Sequence, residues 1–279
     1  MPPDATTKAG GGPIQAFRAL PADSAIRAFA IVIAVCVVCS VLVSAAAVVL
    51  APIQHENALK VRKRQILQAA GLLEPDREIN QQFAQMTPRM VSLDSGEYVE
   101  AGDPVDFDVA RASREPQTSS AVPAESDIAK IRRRPAAMPV YLVEKAGRVE
   151  TIVLPVHGYG LWSTLYGFLA LDGDGRTVKG ISFYQHGETP GLGAEIDNPT
   201  WQAKWTGKQA LAGDGTVLLA IVKGEPRGED AAHQVDGLAG ATLTARGVEN
   251  LVRYWLGKQG FGPYLSRLRA TEGGPPDES

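Results

Sequence analysis

The sequence predicts an α+β fold: a single N-terminal transmembrane helix, then a soluble domain of twisted antiparallel β-sheet with packed helices. Three observations predict it. Residues 28–51, AFAIVIAVCVVCSVLVSAAAVVLA, contain no charge. Downstream of residue 136, short β-rich runs are joined by tight glycine turns, which is how antiparallel strands connect. Near the C-terminus, apolar residues recur at the spacing of one helical face.

The 28–51 run is long enough to cross a bilayer, which takes about 20 apolar residues. It is too long for the apolar core of a signal peptide, and its AAA at 45–47 is a poor cleavage signal. Both cysteines, Cys36 and Cys39, lie inside it. With no histidine or carboxylate nearby, they read as small apolar residues. The soluble part therefore has no disulfide and no cysteine-ligated cluster. No carboxylate lies in 28–51, which argues against an ion path through this segment. Lys8, Arg18 and Arg27 flank one end of the run, and Lys60, Arg62, Lys63 and Arg64 the other. By charge alone, the positive-inside rule slightly favours a cytoplasmic C-terminal domain.

Next, Ala58, Val61, Ile66, Ala69 and Leu73 suggest a juxtamembrane helix ending near Gly71. Residues 111–126, RASREPQTSSAVPAES, read as a loop. MPVYLVEKAGRVETIVLPV forms a hairpin about Lys145-Ala146-Gly147-Arg148, and LYGFLALDGDGRTVKGISFYQH a second about Asp172–Gly175. GTVLLAIVKGE is a further strand. Helical patterns fall at TWQAKWTGKQAL and from Thr244 to Lys258, where Val248, Leu251, Val252, Trp255 and Leu256 form the buried face. There is no internal repeat and no low-complexity tract.

The net charge of −3 over 279 residues gives no electrostatic footprint for nucleic acid. No Ser–His–Asp pattern supports hydrolysis. His157, His186 and His233 are dispersed, each beside a glycine loop, and lack the tight spacing of a zinc site. GLG at 191–193 lacks the strand-then-helix context of a dinucleotide site. Three glycine-rich segments remain: PVHGYGLWSTLYG, HGETPGLGAEIDNPTW and HQVDGLAGATLT. Such loops bring backbone amides close to a ligand, and Tyr159, Trp162, Glu188 and Thr189 add flat and polar surfaces. Singly each reads as a turn; together they suggest one cofactor pocket. In the last, Thr242 and Thr244 precede the periodic helix. A threonine there either caps the helix or stands where free amides receive a phosphate.

These strings closely resemble the C subunit of the bacterial sodium-translocating NADH:ubiquinone reductase, an FMN-binding domain family. Matching segments include ENALKVRKRQILQAAGL, DIAKIRRRPAAMPVYLV, GYGLWSTLYGFLAL, HGETPGLGAEIDNP and HQVDGLAGATLTARGVENLV, over about residues 20–268. The resemblance implies FMN held by a phosphoester to a threonine within an Asp-Gly-x-Ser/Thr-Gly-Ala-Thr signal read by a flavin transferase. Here the signal runs from Asp236 to Thr242, so Thr242 is the implied acceptor; Ala239 stands where the family usually has Ser or Thr. The expected cofactor-binding set is Asp236, Gly237, Gly240, Ala241, Thr242, Leu243 and Thr244, with Glu188, Thr189, Leu192, Gly193, Trp162 and Lys223. Thr244 is expected to cap the helix or donate to the phosphate. Glu188, Thr189 and Leu192 are expected to line the flavin ring, with Trp162 near it.

The resemblance further implies an inner-membrane protein with a periplasmic soluble domain, against the charge count. Its partners are the A, B, D, E and F subunits of the same membrane complex. Its role is to relay electrons from a membrane iron–sulfur centre to the flavin of the B subunit, with NADH and quinone bound elsewhere. The organisation implied is a cytoplasmic tail (1–27), the transmembrane helix (28–51), a juxtamembrane helix and connecting region (52–135), the FMN-binding domain (136–268) and a flexible tail (269–279). Two other readings are the G subunit of the related ion-translocating electron-transport complex and a flavin-free assembly or scaffold subunit.

Overall fold

The computed structural model describes residues 17, 21 and 24–272; most of the expected N-terminal tail and residues 273–279 of the expected C-terminal tail lie outside the described residues. The chain forms two compact units, Met1–Asn57 and Ala58–Ser279.

The first described helix, α1 (Ala25–Ala69), is a single helix through Pro52, so the expected span and juxtamembrane helix are one continuous element. It is the one described helix long and apolar enough to cross a membrane. Its apolar stretch is exposed all round and has no polar face, the pattern of a lipid-facing helix.

In the second unit, the sheet contains β1 (Met86–Ser92), β4 (Ala137–Lys145), β5 (Arg148–Tyr159), β6 (Thr164–Asp172) and β7 (Val178–Gln185), in the order β1-β4-β5-β6-β7. Every pairing in it is antiparallel. Period-two alternation sends side chains to two cores. Leu142, Ile152, Leu154, Leu169 and Leu171 pack with Val248, Leu251, Val252 and Trp255. Tyr141, Val153, Phe168 and Ala170 pack with Ile66, Leu67 and Ala69 from the end of α1, with Ala70 just after it, and with Phe83 of the short α2 (Ile79–Phe83). Because both faces are covered, β5 reads as one apolar run.

The β4–β5 hairpin turns on Ala146 and Gly147 at φ 50° and 77°, as a two-residue turn matching strand twist requires. Alanine is strained at such a φ, by about 1–2 kcal/mol. Ala146→Gly is therefore expected to stabilise the domain by about 1 kcal/mol in denaturant unfolding; an unchanged midpoint would show the strain is absent.

Three local expectations are corrected. Residues 111–126 are not all loop: α3 (Val109–Arg114) starts on the Asp108 side chain, which accepts from the Arg111 amide, and β2 (Ser119–Ala121) pairs with β3 (Arg133–Pro135). The helix expected over TWQAKWTGKQAL shrinks to α4 (Pro199–Ala203). The chain then turns through Gly207 at φ 78°. The strand in GTVLLAIVKGE is only β8 (Ala220–Val222), and it pairs parallel with β9 (Gln234–Asp236), outside the antiparallel sheet. β9 leads through Asp236 and Gly237 to α5 (Thr242–Leu256), and α6 (Gly262–Glu272) follows.

Candidate functional site

Helix α5 can lie close to the sheet end because Gly247 has no side chain: a Cβ there would stand 2.7 Å from the Tyr159 carbonyl oxygen. Its N-terminal residue is Thr242, which is exposed. The preceding Ala241 supplies no side-chain cap. The first amides of α5 therefore meet neither an intrahelical acceptor nor a capping side chain, and with the helix dipole they favour an anion. The expectation that a threonine caps this helix is thus corrected: alanine holds the cap position, and Thr242 presents its hydroxyl to the surface.

Thr244 is corrected as well. It is 1% exposed, and its Oγ1 donates to Glu188 Oε2 at 2.6 Å, so neither a cap nor a donor to a surface phosphate is left in it. The other carboxylate oxygen, Glu188 Oε1, accepts from the amides of Leu161, Trp162 and Ser163 at 3.1, 3.0 and 3.4 Å. Burial pushes this carboxyl up, but the Thr244 hydroxyl and the three amides outweigh it and hold it below the ordinary glutamate range. Glu188 thus ties the β5–β6 turn to the start of α5. Gly193 closes the same knot, since a Cβ there would stand 2.6 Å from Thr244 Oγ1 and 2.8 Å from Glu188 Oε2. Glu188→Ala strands three amides and a hydroxyl. The expected result is a loss of about 2–4 kcal/mol of stability and a changed Trp162 emission, while Glu188→Gln keeps most of both. Equal stability in the two variants would show that the carboxylate ties nothing together.

A cavity of about 810 Å³ opens beside Thr242, a volume in the range of small-molecule sites. Of the residues picked out by sequence, Asp236, Gly237, Gly240, Thr242 and Lys223 line it. Glu188, Thr189, Leu192, Gly193, Trp162, Ala241, Leu243 and Thr244 do not. Leu192, half exposed, flanks the acceptor loop instead: a Cβ on Gly240 would stand 3.3 Å from its Cδ2. Trp162 and Leu243 are exposed, and Thr189 turns its loop by accepting from the amides of Leu192 and Ala194.

Sequence reasoning missed Trp201, Lys204, Ile221, Arg246 and Glu249, which also line the cavity. Trp201 Nε1 donates to the Asp236 carbonyl at 2.9 Å, and Lys204 Nζ pairs with Asp236 Oδ2 at 2.6 Å. Their three-residue spacing, one helical turn, was the available signal. Arg246 and Glu249 follow Thr242 at four and seven residues, on its face of α5. Lys223 and Arg246 make no salt bridge among the described residues, so both cations are available to a ligand.

The histidines sit apart. His186 pairs with Asp197 at 2.8 Å, His233 Nδ1 meets the Gln209 carbonyl, and His157 is buried between Tyr166 and Trp255. Cys36 and Cys39 are exposed on α1.

The FMN-binding domain family matches residues 160–257, which contain the Glu188 knot, the cavity and the start of α5. The chain is 50% identical over 256 residues to the C subunit of the Na(+)-translocating NADH-quinone reductase of Pseudomonas aeruginosa, covering 90% of this chain and 98% of that one. It is 46% identical over 252 residues to the same subunit from Yersinia pestis, with 88% and 94% covered. Among solved structures, Shewanella oneidensis NqrC superposes with a TM-score of 0.71 at 35% identity, covering 77% of this chain and 99% of that one. The corresponding subunit from Parabacteroides distasonis gives 0.61 at 28% identity, covering 77% and 96%. One apolar helix and an FMN-binding domain make the protein a membrane-anchored flavoprotein, an electron-carrying subunit of an oxidoreductase complex. The chain belongs to the C-subunit family of the Na(+)-translocating NADH-quinone reductases.

Proposed function

We propose that Thr242 carries FMN through a phosphoester, installed by a flavin transferase, and that the bound flavin relays electrons within the complex. One observation carries the reading: an exposed threonine opens α5, whose first amides are uncapped, beside a cavity lined by two cations without a salt bridge among the described residues. The residues fit the group. The helix start favours a phosphate, Gly240 and Ala241 leave the hydroxyl open to a transferase, and Lys223 and Arg246 are available to negative charge. Bound FMN supplies one- and two-electron redox chemistry. The protein's share is to tether it, orient it and set its surroundings. Asp236, held by Lys204, fixes the turn that precedes the acceptor. Leu192, which flanks Gly240, offers apolar surface to a ring tethered at Thr242.

On this reading the domain faces the periplasm and receives electrons from a membrane iron–sulfur centre for the flavin of the B subunit, alongside the A, D, E and F subunits. Co-expression with a flavin transferase should give a chain that fluoresces in a denaturing gel, and omission should give a dark one. A dark chain in both cases would favour the scaffold reading. Orientation is tested separately. A reporter active only outside the cytoplasm, fused after Ser279, is expected to be active; activity from a cytoplasm-only reporter there would restore the orientation that the charge count favoured.

A further inference from the structure

The DIAKIRRR segment has no part in the cofactor site, yet its backbone is unusual. Lys130 and Arg132 adopt φ of 54° and 64°, the left-handed region that favours glycine. Asp127 holds them there: its Oδ1 accepts from the Ile131 amide and its Oδ2 from the Arg132 amide, both at 2.8 Å. Ala129, 1% exposed, plugs the loop into the core, and its carbonyl accepts from the Tyr159 amide at 2.8 Å. The loop is therefore fixed against the strand end that leads into the Trp162 turn.

The side chains it displays are Ile128, 43% exposed, and the exposed cations Lys130 and Arg132, neither of which makes a salt bridge among the described residues. Glycine at 130 and 132 would relieve the strain. The chain instead keeps a long cation at each, on a backbone that Asp127 holds in place. Beside them, Tyr159, Leu161 and Trp162 are exposed and adjoin the start of α5 through Glu188. The result is an apolar centre with a cationic edge, tied through Glu188 to the helix that the acceptor opens.

We infer that this surface docks an acidic patch on a partner protein whose own redox group exchanges electrons with the cofactor held at Thr242. This rests on the proposed function and names the chemistry of the partner. The apolar centre excludes water between the two proteins, and the two cations, carried on a fixed backbone, speed encounter and favour an acidic partner surface. Anionic lipid would also attract lysine and arginine. It carries no redox group, however, and needs no strained backbone beneath the two cations.

The test uses the assembled complex with three forms of this chain: wild type, Lys130→Gly/Arg132→Gly and Lys130→Glu/Arg132→Glu. In-gel flavin fluorescence is measured on every sample; a dark wild type would overturn the proposed function and leave docking to be read from retention alone. The glycine pair should raise the thermal midpoint, because strain is lost, while slowing flavin reduction by the rest of the complex about tenfold and flattening its salt dependence. The glutamate pair should slow it further and reduce retention of this subunit when another is used for capture. Unchanged reduction rate and retention in both variants overturn the inference. So does a salt dependence that persists in anionic-lipid nanodiscs and vanishes in wholly zwitterionic ones, since that assigns the cations to lipid.

Discussion

Replacing Thr242 with alanine is expected to abolish the flavin fluorescence of the chain in a denaturing gel while leaving the domain folded. Thr242 is exposed at the first position of α5 and is not the helix cap, so losing its hydroxyl leaves no buried group unpaired. The stability change should stay within about 0.5 kcal/mol. Thr244→Ala should do the reverse. It keeps the flavin but strips a hydrogen bond from buried Glu188, at about 1–2 kcal/mol. The two threonines, two residues apart, thus separate cleanly: one sets modification and the other stability. Ala239→Ser restores the hydroxyl that the family's signal carries there and should raise the modified fraction. A Thr242→Ala chain that still fluoresces, with Thr244→Ala dark, would move the acceptor by two residues.

The second large effect is loss of stability in acid. His157 is 4% exposed, stacked on Tyr166 and packed against Trp255, with no hydrogen-bond partner for either ring nitrogen among the described residues. Burial pushes its pKa from 6.5 down to about 3. Between those values the unfolded chain takes up a proton that the folded one refuses, so stability falls as pH falls through that window. The slope is about 1.4 kcal/mol per pH unit and the total about 4–5 kcal/mol, a large share of the roughly 5–15 kcal/mol that holds a domain together. Glu188 adds in the same direction at lower pH. Its folded pKa is depressed, so its contribution is complete above the ordinary glutamate value and is lost as pH falls through the folded one. Urea unfolding of the full chain at pH 7.5 and pH 5 should show about 2 kcal/mol of this loss, and His157→Leu should remove most of it. A wild-type midpoint equal at both pH values would mean that the histidine is not held neutral.

What the sequence could announce, and what it could not, follows from the range of the interactions. The span was legible because 28–51 holds no charge, and the β4–β5 turn because Ala146-Gly147 punctuates two β-rich runs. The buried face of α5 was legible from Val248 to Leu256. Each is a local signal. The short α3 was not seen, although Asp108 stood in place to cap it, because the Pro, Ser and charge after it dominate the window. TWQAKWTGKQAL has helical spacing at Trp201 and Trp205, but both tryptophans are buried by tertiary packing, and the chain leaves the helix after Ala203. The site divides the same way. The proposed acceptor signal, Asp236–Thr242, is contiguous, so a single window of sequence holds all of it. Trp201 and Lys204 reach Asp236 from more than thirty residues away, and the Glu188–Thr244 bond spans 56. No window contains both ends, so neither the Glu188–Thr244 bond nor the cap position of Ala241 is legible in the sequence.

The acceptor itself can be read directly. No Lys or Arg falls between Gly228 and Ala245, so trypsin releases the signal as one peptide, Gly228–Arg246. In chain purified from cells that supply the flavin transferase, this peptide is expected to carry the mass of FMN less one water. Fragmentation should place it on Thr242, with Thr244 bare. An unmodified peptide, or the added mass on Thr244, would contradict Thr242 as the acceptor.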